Sequence, residues 1–283
     1  MSENLFSRLK SDMPYMSGVE RKITKTILDN PQKFITYTLP GLAQDTDVSQ
    51  GSIINFSKKF AGGGFPALKL RIAGAIRDFI PESYTIIEEN DTITDALRKT
   101  TENSRNALKY TTEINKESSL RKITDKILSA KKIEIYGVYR SAAVATDFCY
   151  QLLQIGVPAT FVSDILTCSV SASMLDSDCV VIAVSSSGET KDIIDPVKIA
   201  KEKGAYAIAL TGNGYSPLAK LSDEVLIAAS SGNSVNEKSS EIRLSQLALT
   251  DAICSYIGSR IDENGEKRYI EMREILNSHS IAD

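Results

Sequence analysis

The sequence predicts an α/β protein with an all-α N-terminal domain: a helix-turn-helix bundle, then a five-stranded parallel sheet in an α/β/α sandwich. Three observations predict it. Before Pro81, apolar residues recur only at helical spacing. From Lys132 onward, short β-branched runs alternate with helix-length stretches, the pattern of right-handed βαβ units. Charge divides the same way: residues 1–80 carry +4 and the remainder −7, within a net charge of −3. A basic first part on an acidic second part suggests a module that faces nucleic acid, joined to something else. A length of 283 residues suits about two domains.

In chain order, Ser17 and Glu20 have capping-box spacing, and Val19, Ile23, Ile27 and Leu28 then share one helical face. Asn30-Pro31 ends that helix. Thr38 is placed to cap LPGLAQDT, and Ser49 to cap QGSIINFSKKF, with Asp47-Val48 in the turn between. In such a helix-turn-helix, Ala43 is small enough for the helices to cross, Val48 plugs the turn and Ile53 returns to the core. The front of the second helix then enters the major groove. Gln50, Ser52 and Asn55 point outward there, and Gln and Asn can pair with adenine edges. Lys58 and Lys59, then Lys69, Arg71 and Arg77 on a helix from Phe65 to Ile80, are candidate phosphate contacts. The plainer alternative is a helical bundle whose lysines form a solvated face.

A polar helical connector is expected next. Ile93, Leu97 and Leu108 mark one helix, and Leu120, Ile123, Ile127 and Leu128 a second. Strands are predicted over 133–137, 158–162, 179–185, 205–211 and 224–229. Helices fit over 140–156, 165–174, 189–203, 216–221 and 239–258. A strand order 2-1-3-4-5 puts a ligand crevice beyond the carboxyl ends of the first and third strands. Gly137-Val138-Tyr139-Arg140-Ser141 follows the first strand and Ser185-Ser186-Ser187-Gly188-Glu189-Thr190 the third, each opening a helix. Hydroxyls and free amides at a helix start, with Gly188 permitting a tight turn, make a cradle for an anion. No P-loop lysine follows, so one phosphate on a small molecule fits better than a nucleoside triphosphate. The alternative is a serine-rich cap and turn.

Composition excludes several chemistries. The single histidine, His279, lies four residues from the end, where a Ser-His-Asp triad or a histidine metal site cannot be built around it. The four cysteines are scattered without a CxxC pair, which supports neither zinc nor a disulfide framework. No metal and no cofactor are expected. No run of about 20 apolar residues could cross a membrane, and the opening MSENLFSRLK carries no secretory signal. The expectation is a cytoplasmic, reduced protein.

The serine loop SSSGET after a buried strand, with G-x-x-x-S after the first, resembles the sugar isomerase (SIS) domain that binds phosphosugars. With the helix-turn-helix ahead of it, the chain resembles the RpiR-type transcriptional regulators of bacteria, from about residue 5 to residue 260. The resemblance implies a SIS-like sandwich in which Ser185, Ser187 and Thr190 hold the effector's phosphate and Ser141 supports it, with Gly188 at the turn. It also implies operator DNA and a sugar phosphate effector as partners, and a homodimer or homotetramer. The domains expected are then helix-turn-helix over 1–80, connector over 81–130, SIS over 131–260 and a tail over 261–283. Two departures stand out: Tyr139 occupies the second glycine of the usual G-x-G-x-S, and Asn55 stands where relatives often have arginine. The competing reading is a phosphosugar isomerase or lyase with a glutamate as acid and base, for which Glu189, Glu237 and Glu241 are the candidates. On the leading reading no residue is catalytic.

Overall fold

The alternation that begins at Lys132 becomes one parallel sheet of five strands in the order β2-β1-β3-β4-β5. These are β1 Lys132–Gly137, β2 Ala159–Val162, β3 Cys179–Val184, β4 Tyr206–Thr211 and β5 Glu224–Ile227. The computed structural model describes residues 5–76, 85–230, 241–260 and 263–278. Strand β3 is buried at all six positions, as a central parallel strand covered on both faces must be.

Side chains alternate between the two faces. Ile133, Ile135, Val180, Ile182, Ile208 and Leu210 pack on one side with α8 (Glu117–Ser129), α9 (Ser141–Gln154) and α13 (Glu241–Gly258). On the other side, Tyr136, Val181, Ala183, Ala207 and Ala209 meet α10 (Ile165–Ala172), α11 (Lys191–Glu202) and α12 (Pro217–Leu221). A buried carboxylate crosses this second layer. Glu134 pairs with Lys132 at 2.6 Å and accepts from the hydroxyls of Tyr136 and Ser171. Burial pushes its carboxyl up, but those three donors outweigh it and hold the group below the ordinary carboxylate value.

The N-terminal helices are α1 Leu5–Asp12, α2 Gly18–Asp29, α3 Pro31–Thr36, α4 Leu39–Thr46, α5 Gln50–Ala61 and α6 Phe65–Ala75. Ser17 and Glu20 form the full capping box on α2, while Thr38 caps α4 and Ser49 caps α5. Leu42, Ile53, Phe56, Phe60, Leu68 and Ile72 fill the core of this bundle.

The chain divides into two units, Met1–Ile114 with Ala229–Glu241, and Asn115–Ala228 with Ile242–Asp283. The stretch expected as a connector is therefore shared: α7 (Ile93–Ile114) belongs to the first unit and α8 to the second. The expected apolar face of α7 is corrected. Ile93 and Leu97 are exposed and Leu108 is partly so, whereas Asn103, Ser104 and Thr111 are buried. The cause is a polar clamp, because the Asn103 amide donates to the Thr85 carbonyl at 2.8 Å and accepts from the Thr85 amide at 3.0 Å. Val19 is likewise exposed, since only Ile23 and Ile27 of its row face the bundle core.

Asn30 ends α2 but also caps α3, with Pro31 at the first helical position, a second use of the same dipeptide. Where a tail was expected, α14 (Glu263–Ser278) is helical, a run rich in glutamate, arginine and lysine. Helix α6 ends at Ala75, short of Ile80. Arg77, Pro81, Glu237 and His279 lie outside the described residues.

Candidate functional site

Two polar surfaces were expected to do the work, one in each unit. In the first, α4 ends on Asp47, whose left-handed φ of 49° turns the chain into Val48 and Ser49. Asp adopts that conformation more readily than most residues, and here its carboxylate meets the Lys22 ammonium at 3.4 Å. Val48 and Ile53 are buried as the helix-turn-helix geometry requires. Ala43 sits half-buried in α4 and its carbonyl accepts the Val48 amide at 3.1 Å.

The core face of α5 is Ile53, Phe56, Ser57 and Phe60. Gln50, Asn55 and Lys58 stand exposed on its other side, and their side chains make no hydrogen bond or ion pair among the described residues. Ser52 is different: its hydroxyl lies 2.8 Å from that of Ser49, inside the helix cap. Lys59 differs too. Its ammonium meets Glu20 at 2.7 Å. That hydrogen bond, with the Ser17 amide behind it, brings the Glu20 carboxyl from the ordinary 4.5 down to about 2. Lys69 donates to the Tyr37 carbonyl at 2.9 Å and Arg71 to that of Phe60 at 2.7 Å. Both tie the bundle together, so of the expected phosphate contacts only Lys58 presents an uncommitted cation among the described residues.

The second surface lies at the carboxyl ends of β1 and β3. These strands end level, because Gly137 is in register with Val184. A Cβ at Gly137 would stand 2.7 Å from that of Ala145 and 3.0 Å from the Ser141 carbonyl, so glycine lets α9 start close against the strand. Ser141 opens α9, half-buried, its amide on the Val138 carbonyl at 3.1 Å.

In the neighbouring loop, the Ser185 hydroxyl lies 3.0 Å from that of Thr190 and accepts the Gly188 amide at 3.1 Å. Ser187 is exposed, and its hydroxyl accepts the Glu189 amide at 3.2 Å. Thr190 occupies the cap position of α11 without capping it through its side chain. The Ile193 amide bonds back to the Thr190 carbonyl at 3.0 Å, and the start of α11 is left without a side-chain cap. Connections to the β4–α12 segment fix the loop from behind: the Gly212 amide donates to the Ser186 carbonyl at 2.9 Å, and the Leu218 amide to that of Gly188 at 3.0 Å. Gly188 has a φ of +66°, and a Cβ there would fall 2.1 Å from the Ser216 hydroxyl. The structure therefore brings Ser185, Gly188 and Thr190 into one bonded cluster, sets Ser187 on its open side, and places Ser141 on the adjoining loop.

Sequence reasoning missed a link between the two loops. The Tyr139 hydroxyl donates to Asp192 at 3.1 Å, across 53 residues of chain. Tyr139 also has a φ of +53°. That left-handed conformation costs a non-glycine residue about 1–2 kcal/mol and explains why glycine is usual there. The missing glycine was the signal for it. Of the candidate acid–base glutamates, Glu189 is exposed in the serine loop, and Glu241, in the other unit, is buried and accepts from the Ser230 hydroxyl at 3.2 Å. Among the described residues no group of three His, Cys, Asp or Glu is placed to hold a metal, and no helix is long and apolar enough to cross a membrane.

A helix-turn-helix unit joined to a five-stranded α/β unit with a serine-rich loop at a helix start defines a two-module transcriptional regulator. Residues 3–78 match the helix-turn-helix domain of the rpiR family, and residues 126–256 match the SIS domain. A helix-turn-helix-type transcriptional regulator of Caldanaerobacter subterraneus is 31% identical over 93% of each chain. The chain belongs to the rpiR family of regulators that carry a SIS domain. The regulator HexR of Escherichia coli is 28% identical over 77% of this chain and 75% of its own. The Vibrio vulnificus NanR protein, solved in complex with ManNAc-6P, shares the fold with a TM-score of 0.62 at 23% identity, over 99% of this chain and 100% of that one.

Proposed function

We propose that this protein binds operator DNA through α5 and that a sugar phosphate held at the serine loop changes that binding, without any bond being made or broken. Gln50, Ser52 and Asn55 read base edges, and Lys58 and Lys59 contact phosphates, Lys59 by exchanging Glu20 for DNA. Ser185, Ser187, Gly188 and Thr190 hold the effector's phosphate, and Ser141 supports it. The observation that carries the reading is the uncapped start of α11 behind a hydroxyl cluster, an arrangement suited to a dianion. Relatives named as transcriptional regulators support a role outside catalysis. The working form is a cytoplasmic homodimer or homotetramer on a two-fold operator, because two linked modules raise effective concentration. The effector acts by binding one arrangement of the oligomer better than the other.

Calorimetry with sugar phosphates, beside a DNA shift assay, tests this. One charge-assisted hydrogen bond is worth about 1.5–3 kcal/mol, so Ser187→Ala should weaken the effector about tenfold or more. DNA affinity without effector should hold, since water can replace that exposed hydroxyl. Unchanged effector affinity would make the loop a mere cap, and turnover of sugar phosphates by the purified protein would favour the isomerase reading instead.

A further inference from the structure

Tyr139 is held in a conformation that side chains rarely adopt, and its position is one where the strain could have been avoided with glycine. Among the described residues only Asp47 and Tyr139 are non-glycine residues with positive φ. Asp47 has a local explanation in the turn before Val48. Tyr139 is the second residue of a turn that the Ser141 amide closes on the Val138 carbonyl at 3.1 Å, and at 77% exposure no core packing adds to that turn. Beyond that turn, the contact that singles the side chain out is the bond from its hydroxyl to Asp192. Strain of this kind persists where surroundings impose it, and it concentrates at binding sites.

Asp192 is the second residue of α11, beside the uncapped end that the serine loop surrounds. Pro196 stands four residues further on, inside the helix. A prolyl nitrogen has no hydrogen, so the Asp192 carbonyl loses the amide that would normally close its turn. The first turn of α11 is thus weakened from within and held from outside by Tyr139. The phenol spans the crevice between the first and third loops, where the body of a ligand must lie if its phosphate sits at the serine loop.

We propose that Tyr139 and Asp192 together determine specificity in this crevice, selecting a phosphosugar whose sugar part is neutral and hydroxyl-bearing over a phosphorylated sugar acid. The inference rests on the phosphate reading of the serine loop. The phenol oxygen and the carboxylate both accept hydrogen bonds, so sugar hydroxyls are matched to them. A second carboxylate brought by a sugar acid meets Asp192 as a like charge, which discriminates by repulsion.

The test is calorimetry on the full chain with four probes: glucose 6-phosphate, fructose 6-phosphate, N-acetylmannosamine 6-phosphate and 6-phosphogluconate. The wild type should bind the best of the three probes without a carboxylate about tenfold or more tighter than 6-phosphogluconate, and Asp192→Asn should erase most of that preference. Tyr139→Gly should weaken binding of that best probe about tenfold while melting no lower than the wild type, because glycine takes a φ of +53° freely. Tyr139→Phe, which keeps the ring and loses the bond, should fall between them. A wild type without preference, or an Asp192→Asn variant with an unchanged one, overturns the specificity assignment. Ser187→Ala, run in parallel, then reports whether the phosphate reading stands. Binding of no probe by the wild type overturns both.

Discussion

The outer face of α5 and the serine loop both present polar side chains at a helix start, but they are prepared differently. On α5, Gln50, Asn55 and Lys58 project without partners among the described residues, while the cap and the core face of the helix are fully used. In the serine loop, the hydroxyls of Ser185 and Thr190 already bond to each other, and Ser185 also takes the Gly188 amide. Long DNA has repeating phosphates and base edges, so side chains free to adjust can find them. A single small anion repays a cradle whose donors are fixed beforehand. On the proposed reading, specificity in one unit is carried by reach, and in the other by pre-organisation.

Glycine substitution breaks this contrast most sharply. Gly188→Ala combines a left-handed backbone with overlap on Ser216 and Thr211, and should destabilise the sheet unit by about 2–5 kcal/mol. Gly62, which ends α5 with a φ of +70°, has nothing within 4 Å of an added Cβ. Gly62→Ala should therefore cost the helical unit only the backbone term, about 1–2 kcal/mol. Denaturant unfolding followed by circular dichroism compares the two, and equal losses would erase the difference in preparation.

The reading side chains come next. Gln50→Ala or Asn55→Ala should cost about 1–3 kcal/mol on operator DNA and little on random duplex, leaving effector affinity unchanged. Equal losses on both duplexes would refute base reading. The two lysines should then separate. Lys58→Ala should lower the slope of log affinity against log salt by about one, and Lys59→Ala by less, because Lys59 gives up Glu20 on binding. Glu20→Gln, which frees Lys59, should tighten binding to any duplex.

The smallest effect is acid titration of that same pair. The folded Glu20 carboxyl titrates near 2, against an ordinary 4.5, so its ion pair and capping bonds contribute stability above about pH 4.5. That contribution fades as pH falls from 4.5 towards 2. Carboxyl NMR should find Glu20 titrating well below the other exposed glutamates, and Lys59→Ala should bring it back up.

Much of this architecture was legible because its signals are local. Thr38, Ser49 and the spacing of Leu42, Val48 and Ile53 mark two caps and a turn within sixteen residues. The strand order followed from five apolar runs with helices between them. What stayed hidden depends on partners far apart in the chain. Lys59, Lys69 and Arg71 read as free cations, yet their partners are Glu20, Tyr37 and Phe60. On α7, apolar spacing suggested the buried face, but the Asn103 clamp on Thr85 turns the helix the other way. The serine loop was legible as a cluster of hydroxyls at a helix start. Its link to Tyr139 was not, because Asp192 looks like an ordinary acidic residue in a first helical turn.

The four cysteines, Cys149, Cys168, Cys179 and Cys254, are all buried and all fall in the unit that holds the sheet. Burial pushes every one of these thiols up, Cys168 to about 11 and Cys254 to about 12, so the thiolate that alkylating reagents attack is scarce while the unit stays closed. Pulse alkylation is then a clock for the opening of one half of the molecule, to which the DNA-reading half is silent. An effector that braces the crevice should slow that clock, and its own dissociation constant can be read from how far the labelling rate falls.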